Sequence, residues 1–132
     1  MSCVLDASIF GIVLFHETET EAALRLLRTP GLAAPPQLRT ELANLVRRAA
    51  KLNGWTVAHA QFVHEDFCKA VGFEPDSAEL GRASLALALE LDHAAQDCVY
   101  LAVARALRLK LVTADAVFAR KARTKGYIVE TL

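Results

Sequence analysis

The segment Val4-Leu5-Asp6-Ala7-Ser8-Ile9-Phe10 indicates the fold class of this chain of 132 residues. Its first two residues form a short apolar stretch, Asp6 interrupts that stretch, and the next four residues begin a helical pattern. This order predicts a short buried strand, a turn and a helix. The same order recurs over residues 109–113, where a second apolar stretch is followed by Asp115 and another helical pattern. Such units are typical of an α/β protein.

The rest of the chain alternates between short strands and helices in the same way. Further strands are predicted over 32–36, weakly over 71–74, and over 127–129. Helices are predicted over about 20–28, 37–52, 57–71, 78–91, 94–107 and 116–125. This alternation predicts a parallel sheet with helices on both faces, and right-handed crossovers place the carboxyl ends of its strands at one edge. Because no linker or repeat interrupts the pattern, we expect a single domain over residues 1–132.

The composition excludes several classes of protein. Apolar residues make up 54% of the chain, which excludes general disorder, and Ala and Leu supply 44 of the 132 positions, which favours helices. No apolar run approaches the ~18–20 residues that span a bilayer, so no membrane partner is expected. The first residues carry no basic segment before their apolar stretch, which argues against a signal peptide.

The cysteines argue against a disulfide framework. Cys3, Cys68 and Cys98 are odd in number and show no CxxC spacing, so neither a disulfide set nor a zinc knuckle is indicated. A reducing, cytoplasmic location fits this pattern best.

The charges balance overall but are unevenly distributed. Fifteen basic and fifteen acidic residues cancel, so the net charge does not by itself indicate a nucleic-acid partner. Between Arg105 and Lys125, however, there are seven basic residues and one acid, Asp115. This segment is either a solvated helical surface or a phosphate-binding face.

Four acids fall in apolar surroundings on four separate segments. Asp6 and Asp115 follow predicted strands, Glu41 lies in the first turns of the 37–52 helix, and Asp97 lies in the first turn of the 94–107 helix. The ligands of open parallel sheets bind outside the carboxyl ends of the strands, where these acids are expected. Each acid taken singly has a simpler explanation, as a helix cap or an exposed helical position.

If the four acids lie close together in the fold, these simpler explanations become less favourable than a shared site. Two unit charges ~5 Å apart at an effective dielectric constant of ~20 repel by roughly 3 kcal/mol, so four ionised acids would cost on the order of 10–20 kcal/mol as an upper bound. That cost rivals the ~5–15 kcal/mol stability of a whole domain. Either some of the acids are protonated, or a divalent cation lies among them. Oxygen ligands suit Mg²⁺ or Mn²⁺ rather than zinc.

Four sequence blocks together resemble one known family. The blocks are Val4-Leu5-Asp6-Ala7-Ser8, Glu41-Leu42-Ala43-Asn44, Asp97-Cys98-Val99-Tyr100-Leu101-Ala102-Val103-Ala104 and Leu111-Val112-Thr113-Ala114-Asp115. In this order they resemble the PIN-domain ribonucleases, and specifically the VapC toxins of bacterial type II toxin–antitoxin systems. The resemblance covers nearly the whole chain. It implies a three-layer α/β/α fold and an endoribonuclease that uses Mg²⁺ or Mn²⁺.

The resemblance also implies the roles of particular residues and the partners. The catalytic and metal-binding acids would be Asp6, Glu41, Asp97 and Asp115, with Ser8 and Thr113 as hydroxyl groups beside them. The family further implies a homodimer that is neutralised by a small antitoxin protein. One departure is Gln96, where family members often have tyrosine, and it bears on substrate contacts more than on metal binding.

Other residues are weaker candidates. Asn44, one turn after Glu41, either steadies the site or packs against a neighbouring strand. His93 is more simply explained as a surface or capping histidine than as a functional group. Asp92 is predicted to cap the 94–107 helix rather than to be a fifth acid near the metal. Because an acidic pocket repels RNA, basic residues would have to hold the strand. The candidates are Arg105, Arg108, Arg120, Lys121, Arg123 and Lys125.

Two alternatives compete with the ribonuclease. The first is a receiver-like regulatory domain whose acids bind Mg²⁺, although such a domain would have paired acids after its first strand, where Asp6 stands alone, and a lysine after a late strand, whereas Lys110 precedes its strand. The second is a non-catalytic PIN scaffold that binds RNA or a partner protein. Metal-dependent cleavage that is lost in Asp6→Asn would separate the enzyme from both.

Overall fold

The computed structural model describes residues 2–132, which form five strands and seven helices. The strands are β1 (Cys3–Leu5), β2 (Leu32–Ala34), β3 (Gly72–Phe73), β4 (Lys110–Thr113) and β5 (Val129–Thr131). The helices are α1 (Ala7–Leu14), α2 (Thr20–Leu27), α3 (Leu38–Asn53), α4 (Val57–Lys69), α5 (Ala78–Leu91), α6 (Ala95–Leu107) and α7 (Ala116–Thr124). No helix within 2–132 combines the length and the apolar character needed to cross a membrane.

The five strands form one all-parallel sheet in the order β3-β2-β1-β4-β5. The predicted parallel α/β sheet is therefore confirmed. β1 lies at its centre, where Val4 is in register with Ala33 of β2 on one side and Leu111 of β4 on the other. The chain extends the sheet first to one side of β1 and later to the other, which makes the carboxyl end of β1 a topological switch point.

The helices cover both faces of the sheet in an α/β/α arrangement, as expected. α1 packs on α2 and α3, whereas α6 packs on β1, β4 and α5. All three residues of β1 are buried because neighbouring strands and helices enclose them. Strands buried on both faces are continuously apolar, which explains why such short sequences form the centre of the sheet.

Two local predictions were wrong. The last strand begins at Val129 rather than at residue 127, because the Tyr127 N–H donates to the Ala122 carbonyl at the end of α7 and is not available to β4. Asp92 does not cap α6 but ends α5 in the left-handed conformation (φ 49°), with its N–H bonded to the Ala88 carbonyl. Ala94 precedes α6 without a side-chain cap.

Helix α3 provides a test of the core. Leu42 is fully buried and Leu52, on the same helix, is 76% exposed. We expect Leu42→Ala to lower the free energy of unfolding in urea by about 2–5 kcal/mol, because it removes packed methyl groups and leaves a cavity. Leu52→Ala should change it by less than about 0.5 kcal/mol. Equal effects of the two substitutions would contradict this packing.

Candidate active site

Asp6 follows the central strand at the topological switch point and is held by hydrogen bonds from three groups. Its Oδ1 accepts from the Ser8 N–H at 3.1 Å, which caps α1, and also from the Ser8 hydroxyl. Its Oδ2 accepts from the hydroxyl of Thr113 on β4 at 2.6 Å. The carboxylate therefore ties the end of β1 to the end of the neighbouring strand.

The two hydroxyl groups beside Asp6 are themselves oriented by the backbone. Ser8 Oγ accepts from the Ala114 N–H at 2.9 Å, and Thr113 Oγ1 accepts from the Asp115 N–H at 3.1 Å. Because each oxygen accepts a backbone N–H, each hydroxyl proton is free to point at Asp6. The structure thus places Ser8 and Thr113 directly against an acid, where the sequence resemblance put them.

Burial raises the pKa of Asp6 from its ordinary 3.8 to about 6. The hydrogen bonds from Ser8 and Thr113 act in the opposite direction, and the nearby charge of Asp97 raises the pKa further. A second carboxylate within electrostatic reach of a buried one is costly without a cation. The arrangement therefore favours a bound positive charge at neutral pH.

His93, Asp97 and Asp115 form a compact group of possible metal ligands. One ligand atom from each of the three side chains lies within 4.8 Å of the others. Asp97 is in the first turn of α6, and Asp115 caps α7 through Oδ1, which accepts from the Phe118 N–H at 3.0 Å. Two carboxylates at this separation form a site that Mg²⁺ or Mn²⁺ would fit.

His93 has a larger part in this group than the sequence indicated. Its Nε2 lies 2.9 Å from Asp97 Oδ2, and its side chain is only 13% exposed. Its ring packs against Phe118 with centroids 4.7 Å apart. The spacing of four residues between His93 and Asp97 was the available sequence signal, but the packing of α7 against this segment could not be read from it.

Glu41 lies at the same edge within a separate set of contacts. It accepts hydrogen bonds from Gln37 Nε2 at 3.1 Å and from the Tyr100 hydroxyl. Gln37 also donates to the carbonyl of Gln96 at 2.6 Å, which links α3 to the start of α6. Sequence reasoning assigned no role to Tyr100.

Tyr100 is a buried hydrogen-bond donor to Glu41. Its side chain is 1% exposed, and burial together with Glu41 and Asp6 raises its pKa well above the usual range. The phenol therefore stays protonated at neutral pH and can orient Glu41. The four acids thus lie at the same edge of the sheet. The compact ligand group, however, includes neither Asp6 nor Glu41.

Asn44 and the basic candidates on α7 lie in different surroundings. Asn44 is exposed on α3. Lys121 lies beside His93, with Nζ 3.4 Å from Nδ1. Arg123 donates to the Val129 carbonyl at 2.7 Å, and Arg120 is exposed on the same helix.

Three of the basic candidates lie away from the acids. α6 and α7 begin at the acidic edge and run back across the sheet, so residues at their ends lie near the amino ends of the strands. These residues are Arg105, Arg108 and Lys125. The basic residues of the 105–125 segment therefore do not form one face around the acids.

Comparison with known proteins identifies a family. The family model described as "PIN domain" matches residues 3–124. No curated protein sequence matches the chain. A receiver-like domain is not supported by this match.

Solved structures with similar folds include three whose descriptions are informative. VapBC2 from Rickettsia felis, bound to a DNA fragment from its promoter, matches with a TM-score of 0.71 at 21% identity. The match covers 100% of this chain and 99% of the Rickettsia chain. VapC20 of Mycobacterium tuberculosis, described as a Sarcin-Ricin loop cleaving toxin, has a TM-score of 0.69 at 16% identity with coverages of 96% and 97%. A toxin–antitoxin complex from Klebsiella pneumoniae has a TM-score of 0.64 at 23% identity with coverages of 86% and 87%. At these identities the likeness concerns the fold.

The raised pKa of Asp6 gives a prediction for the metal-free protein. Because the folded state holds this proton more tightly than the unfolded state, stability contributed by protonated Asp6 is present below pH 4 and is lost as the pH rises through about 6. Asp6→Asn cannot ionise, and Asn caps helices as well as Asp does. Relative to the wild type, Asp6→Asn should gain about 2–3 kcal/mol of unfolding free energy between pH 4 and pH 7.5.

The measurement is urea unfolding of both proteins in EDTA at the two pH values. Asp66→Asn, an exposed acid on α4, is the matched control and should show no such gain. A wild-type-minus-variant difference that does not depend on pH would contradict a buried, ionising Asp6.

Proposed function

The chain belongs to the PIN domain family, and from this premise we propose that it is a divalent-metal-dependent endoribonuclease that acts as the toxin of a type II toxin–antitoxin module. One observation carries the proposal: the ligand atoms of Asp97 and Asp115 lie together with that of His93 within 4.8 Å. This group lies within electrostatic reach of Asp6 at the switch point of a parallel sheet. One of the similar structures is described as a Sarcin-Ricin loop cleaving toxin, which supports RNA as the substrate.

The residues of the site would have two kinds of role in phosphodiester hydrolysis, namely binding the metal and orienting the acids. Asp97 and Asp115 would hold Mg²⁺ or Mn²⁺, with Asp6 and Glu41 completing the acidic surroundings. When bound, such a cation lowers the pKa of water and neutralises charge on the scissile phosphate. Ser8 and Thr113 hold Asp6 in one orientation through their hydroxyl protons. Tyr100 and Gln37 orient Glu41 in the same way.

Basic residues hold the RNA in this proposal. Arg120 is exposed on α7, which begins at the acidic edge with Asp115, and it is the best placed of the six candidates. Lys121 lies beside it, but its ammonium group is bonded to the Asp92 carbonyl. Arg105, Arg108 and Lys125 would contact only a longer strand that reaches the opposite edge of the sheet. Contacts of this kind bind the phosphates without reading the sequence.

The partners follow from the same proposal. A small antitoxin protein is supported by the fold shared with a toxin–antitoxin complex. The cytoplasm is the proposed location, because RNA substrates are found there and the three cysteines are free thiols.

The central experiment tests cleavage. Purified protein is incubated with total bacterial RNA in Mg²⁺, in Mn²⁺ or in EDTA, beside Asp97→Asn and Asp115→Asn. We expect discrete fragments from the wild type with metal, and none above the EDTA level from either variant, since each loses a charged ligand. Asp66→Asn should cleave like the wild type. RNA binding or metal binding without cleavage would favour the non-catalytic scaffold.

A homodimer is also proposed, supported by exposed leucines on α5. Leu85 is 57% exposed and Leu89 is 76% exposed, and they lie one turn apart on the same helical face. Light scattering at micromolar concentration should give twice the mass of the chain. Leu89→Lys should reduce it to the mass of one chain, whereas Leu52→Lys, which is equally exposed on α3, should leave it unchanged. A wild-type monomer would contradict the dimer.

A further inference from the structure

His93 stands between the acids and a lysine, and each of its ring nitrogens faces one of them. Nε2 lies 2.9 Å from Asp97 Oδ2, and Nδ1 lies 3.4 Å from Lys121 Nζ. Phe118 packs against the ring and fixes its plane. The imidazole ring is therefore contacted at both nitrogens, by Asp97 and Lys121, and on one face by Phe118.

The lysine decides which nitrogen carries the proton. An ammonium group has only donors, so the nitrogen that faces it has to accept. A proton on Nδ1 would point at another donor, and the ring therefore carries its proton on Nε2. That proton points at Asp97 Oδ2, which accepts it.

Lys121 is itself anchored. Its Nζ donates to the Asp92 carbonyl at 2.7 Å, and the Asp92 backbone is fixed in the left-handed conformation that ends α5. The His93 N–H is bonded to the Ala88 carbonyl at 3.1 Å, which holds the same turn in place. The ammonium group is thus positioned by the turn before α6 and cannot easily move away from the ring.

We propose that Lys121 and His93 form a positioning pair for Asp97, in which Lys121 fixes the Nε2–H tautomer and His93 holds Asp97 Oδ2 by a hydrogen bond. The other oxygen of Asp97 is then left for the cation shared with Asp115. This inference rests on the proposed function in one respect, namely that Asp97 is a metal ligand. His93 acts through Asp97 and does not touch the cation.

Direct binding of the cation by His93 is the competing arrangement, and the geometry opposes it. A metal at Nε2 requires the proton on Nδ1, where it would face the ammonium group of Lys121. Histidine in the outer shell of a metal site orients the carboxylate ligand and tunes its affinity, commonly by a factor of about 10–100.

The tautomer is tested without any metal. Nitrogen-15 NMR of the imidazole rings in metal-free protein at pH 8 should show His93 as the Nε2–H tautomer, assigned by its absence in His93→Gln. Lys121→Met should give a mixture of tautomers because the fixing charge is gone. Lys125→Met, an exposed lysine just beyond the end of α7, should leave the His93 signals unchanged. An Nδ1–H tautomer in the wild type would overturn the proposal.

Metal affinity provides the second test. Calorimetric titration with Mn²⁺ should give a Kd about 10–100-fold weaker for His93→Leu than for the wild type. His93→Gln should recover most of the affinity because its amide can donate to Asp97 from the same place. His59→Leu, on the exposed side of α4, should bind like the wild type. A Gln variant as weak as the Leu variant would indicate direct ligation and overturn the proposal.

These experiments distinguish a failure of the ribonuclease proposal from a failure of the positioning pair. If the wild type binds Mn²⁺ with the expected His93 dependence but cleaves no RNA, the ribonuclease is wrong and the positioning pair stands. If the wild type cleaves RNA and His93→Leu binds Mn²⁺ as tightly as the wild type, only the positioning pair is wrong.

Discussion

The burial of the Asp6 carboxylate at the end of the central strand is the constraint on which the site depends. A charged group in this position is costly unless donors surround it, and the donors here come from α1 and from β4. Thr113 can donate only because β4 pairs with β1 in the register that aligns Leu5 with Val112. A change of one residue in that register would turn Thr113 away from the acid. The register between β1 and β4 therefore also fixes the geometry of the site.

Much of this arrangement could be predicted from the sequence because it is local. Short apolar stretches that end at an acid and lead into helices define the strands, and a parallel sheet gathers their carboxyl ends. Asp6 and Asp115 reach one edge for that reason, and Asp97 joins them because α6 begins at the same edge. The family resemblance added Ser8 and Thr113, which the structure places in contact with Asp6.

The parts that were not predicted depend on contacts between distant segments. Tyr100 belongs to an apolar helix that looks like ordinary core, and its role appears only when α3 brings Glu41 to its hydroxyl. His93 gains its partners because α7 places Lys121 and Phe118 beside it. Asp92 ends α5 instead of capping α6, because a short polar residue between two helices can end the first as well as begin the second.

Helix capping does not prevent an acid at a strand end from serving as a metal ligand, because a carboxylate has two oxygens. Asp115 uses Oδ1 to cap α7 through the Phe118 N–H, which fixes the side chain and leaves its second oxygen without that duty. Asp97 divides its oxygens in the same way, with Oδ2 bonded to His93. Each acid thus has one oxygen that holds it in place and another that takes no part in that bond. A carboxylate restrained in this way loses little freedom when a cation binds, so the local bonds that stabilise the fold also prepare the site.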